Sequence, residues 1–341
     1  MSQKLRKFVF GSLNQIYDIC FITLMILLLM LAAYARWDSQ QVYTRADPIQ
    51  YIQYKPSPPE MMSFEELQSI NPDVIAWLTI YDTNIDYPVV QSKQDNQQYL
   101  NRNPMGEPES CGSIFLDYRC NPNFTDFNTI VYGHHMEKHK MFGDLDKFMD
   151  EEFWNTHEYG NLIYDAQNHG LQFVAMLQVD AFDPLIYRPH VNGESARVQY
   201  INHIYEQAAY IRGVDTNTLR ELQAEDSEKS FSESRTAPIT PDDHIILFST
   251  CSTDITNGRY ILVAKLLDRP VENPFPDEKR QGTGIDSTKV LAMIGKWSAE
   301  RWILTLIILI IFVLLLYFIS TYLYKRKLEG EDTNDQNEEH S

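Results

Sequence analysis

Apolar residues in this chain fall into two regimes. Two long runs carry no charge: Ile19–Ala35 ("ICFITLMILLLMLAAYA"), 17 residues, and Trp302–Tyr324 ("WILTLIILIIFVLLLYFISTYLY"), 23 residues. Between them the runs are short: "VIAWLTI", "IDYPVV", "GSIFLDY", "NTIVYG", "NLIYDA", "LQFVAMLQVDAF", "HIILFST" and "RYILVAKLL". β-Branched and aromatic residues dominate them and Gly, Pro, Asn and Asp separate them, which predicts strands. Few long helical patterns intervene, so the count fits a sandwich or a closed barrel better than a parallel α/β sheet.

Two stretches break that pattern. "SFEELQSI" predicts a short helix capped by Ser63, with Glu66 at capping-box spacing and Asn71-Pro72 ending it. "ESARVQYINHIYEQAAYI" (Glu194–Ile211) predicts a longer one capped by Asn192, with Val198, Ile201, Ile204 and Tyr205 on one face. Pro56, Pro58 and Pro59 mark the segment before the first helix as a stiff, extended linker. "ELQAEDSEKSFSESRTAPIT" reads as a surface loop, and "LDRPVENPFPDEKRQGTGIDSTK" as a tether leaving the core.

A helix needs about 20 apolar residues to cross the hydrocarbon layer. The second long run meets that length. The first is shorter, and Ala33-Tyr34-Ala35 resembles a signal-cleavage site, but its apolar run exceeds a signal peptide's usual core, which favours a retained anchor. Lys4, Arg6 and Lys7 precede the first run, and Lys325, Arg326 and Lys327 follow the second. Positive charge stays inside, so both termini are expected in the cytoplasm and Arg36–Arg301 outside the cell. The acidic end "LEGEDTNDQNEEHS" reads as a polar, disordered tail. The net charge of −18 argues against a general nucleic-acid binder, which needs a basic face.

There are four cysteines. Cys20 lies within the first apolar run. Cys111 and Cys120 flank a predicted strand that, if straight, holds them roughly 30 Å apart. A bridge requires Cα atoms within about 7 Å, so free thiols are favoured. Cys251 ends an apolar run and has no obvious partner, which makes it a candidate nucleophile. A thiol with a pKa near 8.5 needs a base or a cation beside it. In "NTIVYGHHMEKHKMFGDL" a strand breaks at Gly133, and His134 and His135 follow. Arg259 opens the strand after Cys251 across a hairpin-length connection, where its guanidinium can donate to a carbonyl or an oxyanion. Each residue also has a plain reading: a buried small hydrophobe, loop histidines or, with His139, a metal cluster of no standard zinc spacing, and a solvated arginine. No cofactor is called for.

At these residues the chain resembles a known family. "TIVYGHHM…MFGDL", "LFSTCS" and "GRYILVAKL" resemble the three signature blocks of sortases, the cysteine transpeptidases of Gram-positive cell surfaces. "FEELQSINPDVIAWLTIYDTNIDYPVVQSKQDNQQYL" with "SCGSIFLDYR" resembles class B members in particular, and the likeness runs from Phe64 to Leu267. The resemblance implies a closed β-barrel of about eight strands with peripheral helices, here flanked by two transmembrane helices. It implies Cys251 as nucleophile, His134 as acid and base, Arg259 as substrate and oxyanion donor, and Asp254 as an auxiliary acid. His135 stands where Asn is common.

The implied partners are sorting-signal peptides of secreted proteins, an amine acceptor from a peptidoglycan precursor or a pilin lysine, and membrane lipid. Cleavage is expected at the Thr–Gly or Thr–Asn bond, with specificity in the loops around 180–193 and 219–243. Two anchors are more typical of pilus-polymerising sortases. Asp47-Pro48 resembles the lid of that class, but Ile49 follows where an aromatic belongs, so the pair reads as linker. The expected division is 1–15 cytoplasmic, 16–36 anchor, 37–60 linker, 61–268 catalytic domain, 269–301 linker, 302–324 second span and 325–341 tail. An exported cysteine hydrolase and a non-catalytic, membrane-tethered binding module remain the alternatives.

Overall fold

The computed structural model describes residues 3–57, 61–224, 238–251 and 257–275, with the helical stretches 304–308, 310–315, 317–319, 321–322 and 326. It divides into two compact units, Met1–Gln41 with Gly282–Ser341, and Val42–Gln281. Helix α1 (Gln3–Arg45) runs from the first into the second.

The stretch Ile16–Arg45 of α1, most of it in the first unit, spans 30 residues with a mean hydropathy of 2.5 in its most apolar window, long and apolar enough to cross a membrane. Its large side chains are bare, with Leu29 66% exposed. Of the second apolar run, a helix is described over Leu304–Ile319, shorter than a full span. Trp302, Ile303, Leu323 and Tyr324 lie outside the described residues.

The second unit is a barrel. Its strands are β1 (Val74–Ile80), β2 (Asp86–Val90), β3 (Ile114–Leu116), β4 (Asn128–Tyr132), a small hairpin of β5 (His135–Met136) and β6 (Lys140–Met141), β7 (Tyr159–Tyr164), β8 (Gln167–Asp180), β9 (Ala208–Ile211), β10 (Ile245–Cys251) and β11 (Gly258–Leu267). Eight of them form the ring β11-β10-β4-β3-β2-β1-β7-β8, which closes where β11 pairs with β8. Pairs β2–β3 and β10–β4 are parallel and the other ring pairs antiparallel, so the closed barrel is mixed. Closure removes open edges that would otherwise pair with other chains. Each of the eight short runs read from the sequence supplies one ring strand.

Alternation along the strands separates two cores. Ile246, Phe248, Tyr260 and Leu262 point into the barrel with Phe142, Phe148 and Phe173. Ile245, Leu247, Ile261 and Val263 point outward, under Tyr200, Ile201, Ile204 and Tyr205 of helix α4 (Glu194–Gln207).

Several expected boundaries move. Helix α2 (Met62–Ile70) starts one residue before Ser63, whose hydroxyl donates to the Lys55 carbonyl at 3.3 Å instead of capping. Asn71 does end it. Helix α4 begins after Gly193 rather than Asn192, and its expected last turn is strand β9 instead. β7 leaves the edge of β8 unpaired beyond Gln172, and β9 fills that edge at Ala175–Leu177. The segment read as an extended linker is helical to Arg45. It then makes two 3-10 turns, Pro48–Gln50 and Ile52–Tyr54, with Ala46, Tyr51 and Tyr54 buried.

The tether is also not free at its start. Val271 donates to Asn161 at 3.3 Å, its carbonyl accepts from Tyr81 at 2.7 Å, and Phe275 stacks on His157, itself at the end of α3 (Glu151–Thr156). The loop expected near 219–243 holds α5 (Thr216–Ala224), while 225–237 lie outside the described residues.

Candidate active site

β4 and β10 run side by side in parallel, with Asn128 beside Ile245 and Tyr132 beside Ser249. The Gly133 amide continues the pairing by donating to the Ser249 carbonyl at 3.2 Å. β4 ends at Tyr132, and the same offset of 117 carried two residues past the Tyr132–Ser249 pair gives position 134 as the counterpart of position 251. On the other side of β10, Cys251 pairs directly with Arg259 of β11. The C-terminal ends of β4 and β10 and the start of β11 thus lie side by side, with Cys251 opposite Arg259 and His134 two residues past the end of β4. Of Cys251 the backbone alone is described, and Asp254 lies outside the described residues.

His134 is half-buried, and its Nε2 lies 2.8 Å from the Leu100 carbonyl. A carbonyl only accepts, so Nε2 carries the proton and Nδ1 of the neutral ring is the basic nitrogen. Leu100 ends a 3-10 turn that presses on Gly112. A Cβ there would stand 2.6 Å from the Leu100 oxygen, and φ is +61°, so glycine is what permits the approach. Arg259 is half-buried and donates to the Gly258 carbonyl at 3.1 Å, which tethers one guanidinium nitrogen to the backbone.

The other histidines go elsewhere. His135 faces Asp146 at 3.2 Å and His139 faces the buried Asp144 at 2.6 Å. The three histidines therefore do not converge on one point. Among the described residues no group of three or more His, Cys, Asp or Glu is arranged to hold a metal. Cys111 and Cys120 are free and buried. Burial pushes the first thiol up to about 11, helped by Glu109, and the second up to about 12 against a backbone hydrogen bond from Ile130. Both stay neutral near pH 7 and are poor nucleophiles.

Beneath the three positions lies a polar network that the sequence did not single out. Asp117 is fully buried and accepts two bonds from the Arg119 side chain (2.9 and 2.7 Å), one from Asn96 (2.9 Å) and one from the Tyr132 hydroxyl (3.2 Å). Burial alone would raise this carboxyl, but the donors from Arg119 and Asn96 outweigh it and hold it below the ordinary carboxylate value. Tyr132 stacks on Tyr187, whose hydroxyl meets Ser249 Oγ at 2.9 Å. Ser249 and Tyr132 are a register pair two residues before Cys251 and His134. The signal available in sequence was alternation: 128, 130 and 132 share one face of β4, as do 245, 247 and 249 on β10.

No family model matches the chain. Over 206 residues it is 32% identical to sortase B of Listeria monocytogenes, covering 60% of this chain and 74% of that protein. It is 28% identical to sortase B of Staphylococcus aureus over the same shares. The X-ray structure of Clostridium perfringens sortase B superposes with a TM-score of 0.51 at 29% identity, covering 60% of this chain and 100% of that one. The chain belongs to the sortase family of cysteine transpeptidases, within its sortase B group.

Proposed function

We propose that this protein is a membrane-anchored class B sortase that cuts the sorting signal of exported proteins and joins the new carboxyl end to an amine. The Cys251 thiol gives its proton to His134 as its sulfur attacks the carbonyl carbon of the scissile peptide bond. His134 gives a proton to the departing amine, leaving a thioester on Cys251. An incoming amine attacks the thioester, gives a proton to His134 and releases the Cys251 sulfur, so one amide replaces another. Arg259 donates to the substrate carbonyl and to the oxyanion of both tetrahedral intermediates. Asp254 is the auxiliary acid of this reading.

The observation that supports this most is the register across β4, β10 and β11, which pairs Tyr132 with Ser249, two residues before His134 and Cys251, and pairs Cys251 with Arg259. Adjacent strand ends are rigid, and that is where an acid–base group and a nucleophile are best pre-positioned. The apolar helix Ile16–Arg45 supports anchorage, with 302–324 as a second span, the barrel outside the cell and both termini inside. The acceptor amine is a peptidoglycan precursor or a pilin lysine.

Incubating the full chain with a sorting-motif peptide and each amine, followed by mass spectrometry of products, tests the reading. An amide of one acceptor supports it and identifies the acceptor. Free acid alone indicates hydrolysis, and no thiol-dependent turnover indicates a binding module.

A further inference from the structure

The hairpin that follows His134 is held by a segment from before the barrel. Its tip is strained: Lys138, His139 and Met141 all have positive φ (58°, 58° and 52°), a conformation costly for residues other than glycine. Such a backbone persists where surrounding contacts over-determine it. The hairpin's own bond is Phe142 N–H to the His134 carbonyl at 2.9 Å, so the position of the loop is passed directly to the histidine backbone.

Besides the pairs His135–Asp146 and His139–Asp144, the hairpin is held by Tyr43–Asp47, the end of α1 and the turn after it. The Tyr43 hydroxyl donates to Glu137 at 3.2 Å, and Lys138 Nζ sits 3.9 Å from the centre of the Tyr43 ring. Lys140 forms an ion pair with Asp47, whose other oxygen accepts from the Ile49 amide at 3.1 Å and so is fixed in direction. The Ala46 carbonyl accepts from the buried Tyr87 hydroxyl at 2.7 Å. That hydroxyl in turn accepts the amide of Met141, one of the strained residues, at 3.1 Å. Three direct contacts and one relay through Tyr87 thus join Tyr43, Ala46 and Asp47 to the seven residues that separate His134 from Phe142.

We infer that Tyr43–Asp47 is a positioning element for His134: the end of the apolar helix clamps the strained 135–141 hairpin and thereby sets the histidine opposite Cys251. Asp47, Tyr43 and Lys140 are positioning residues in this scheme. They touch neither substrate nor reacting atoms, and the scheme rests on the reading of His134 as acid and base. An error of about 1 Å in such a group costs up to about a hundredfold in rate.

The test uses the full chain in detergent micelles with Asp47→Ala, Lys140→Ala and the reversed pair D47K/K140D. Peptide-to-amine transfer should lose about three- to tenfold in kcat in each single variant with KM within twofold, and the reversed pair should recover most of the loss. A role in stability alone would lower the melting temperature and leave kcat per folded molecule unchanged. Hydrogen exchange over 134–143 gives a readout independent of turnover and should speed up about tenfold in both single variants. Unchanged exchange there, or a reversed pair no better than the singles in kcat, overturns the clamp. His134→Ala in the same assay separates the two claims. Wild-type turnover in that variant refutes the histidine's role, whereas loss there with full activity in the clamp variants refutes the clamp alone.

Discussion

The two faces of the β4–β10–β11 ribbon have the same backbone and opposite contents. Inward, Val131, Phe248, Tyr260 and Leu262 are almost wholly buried in one apolar cluster. Outward, β10 begins apolar with Ile245 and Leu247 under α4 and turns polar at Ser249, beside Tyr132 at the end of β4, while Arg259 opens β11. A scaffold and a site are thus built from alternate residues of the same strands, with the site confined to the last turn of the pleat on one side. Rigidity therefore comes from the inner face, and chemistry is available at the outer tip.

Breaking the inner face should give the largest stability loss and the least specific loss of activity. Phe248→Ala removes a ring packed edge-on against Phe142, with centroids 6.1 Å apart. It should cost about 3–5 kcal/mol in denaturant unfolding, with folded protein keeping its KM. Gly133→Ala probes the boundary between the faces. A Cβ there would stand 2.5 Å from the Ile114 side chain and 2.7 Å from the Phe142 ring, both closely packed. Overpacking of that kind costs about 1–3 kcal/mol, and kcat should fall further than stability alone explains because His134 is the next residue.

The outer network should declare itself through acid. A carboxyl held below its unfolded value of about 3.9 binds its proton less readily when folded. The stability due to Asp117 is therefore complete above about pH 4 and is lost as the pH falls through the folded value. Asp117→Asn should lessen the fall of the melting temperature below about pH 4 relative to the wild type. The smallest effect is expected at Thr129, whose hydroxyl is buried with no hydrogen-bond partner among the described residues. Thr129→Val should be neutral or gain up to about 1 kcal/mol. A large loss there would mean that the inner face tolerates less than the comparison supposes.

The ring strands were legible because each carries its own signal: alternation, β-branched residues and bracketing turns. His134, Cys251 and Arg259 stand out in the sequence as strand-end residues within recognisable blocks, and the register sets Arg259 opposite Cys251. What escaped was decided by distant partners. Ala208–Ile211 continues a helical pattern and becomes strand because β8 has a vacant edge. Residues 46–54 look like linker, and their tyrosines are buried against a surface that local sequence does not describe. Asp117 carries no local signal that sets it apart, yet Arg119, Asn96 and Tyr132 make it the centre of a buried polar network.

The account turns on which sulfur carries the acyl group. Mixing the full chain with a sorting-motif peptide in the absence of any amine, quenching in acid and mapping the adduct by tandem mass spectrometry answers it directly. The predicted result is one peptide-derived acyl group on Cys251, absent in His134→Ala. An adduct on Cys111 or Cys120, or one that forms at an undiminished rate without His134, would contradict the assignment.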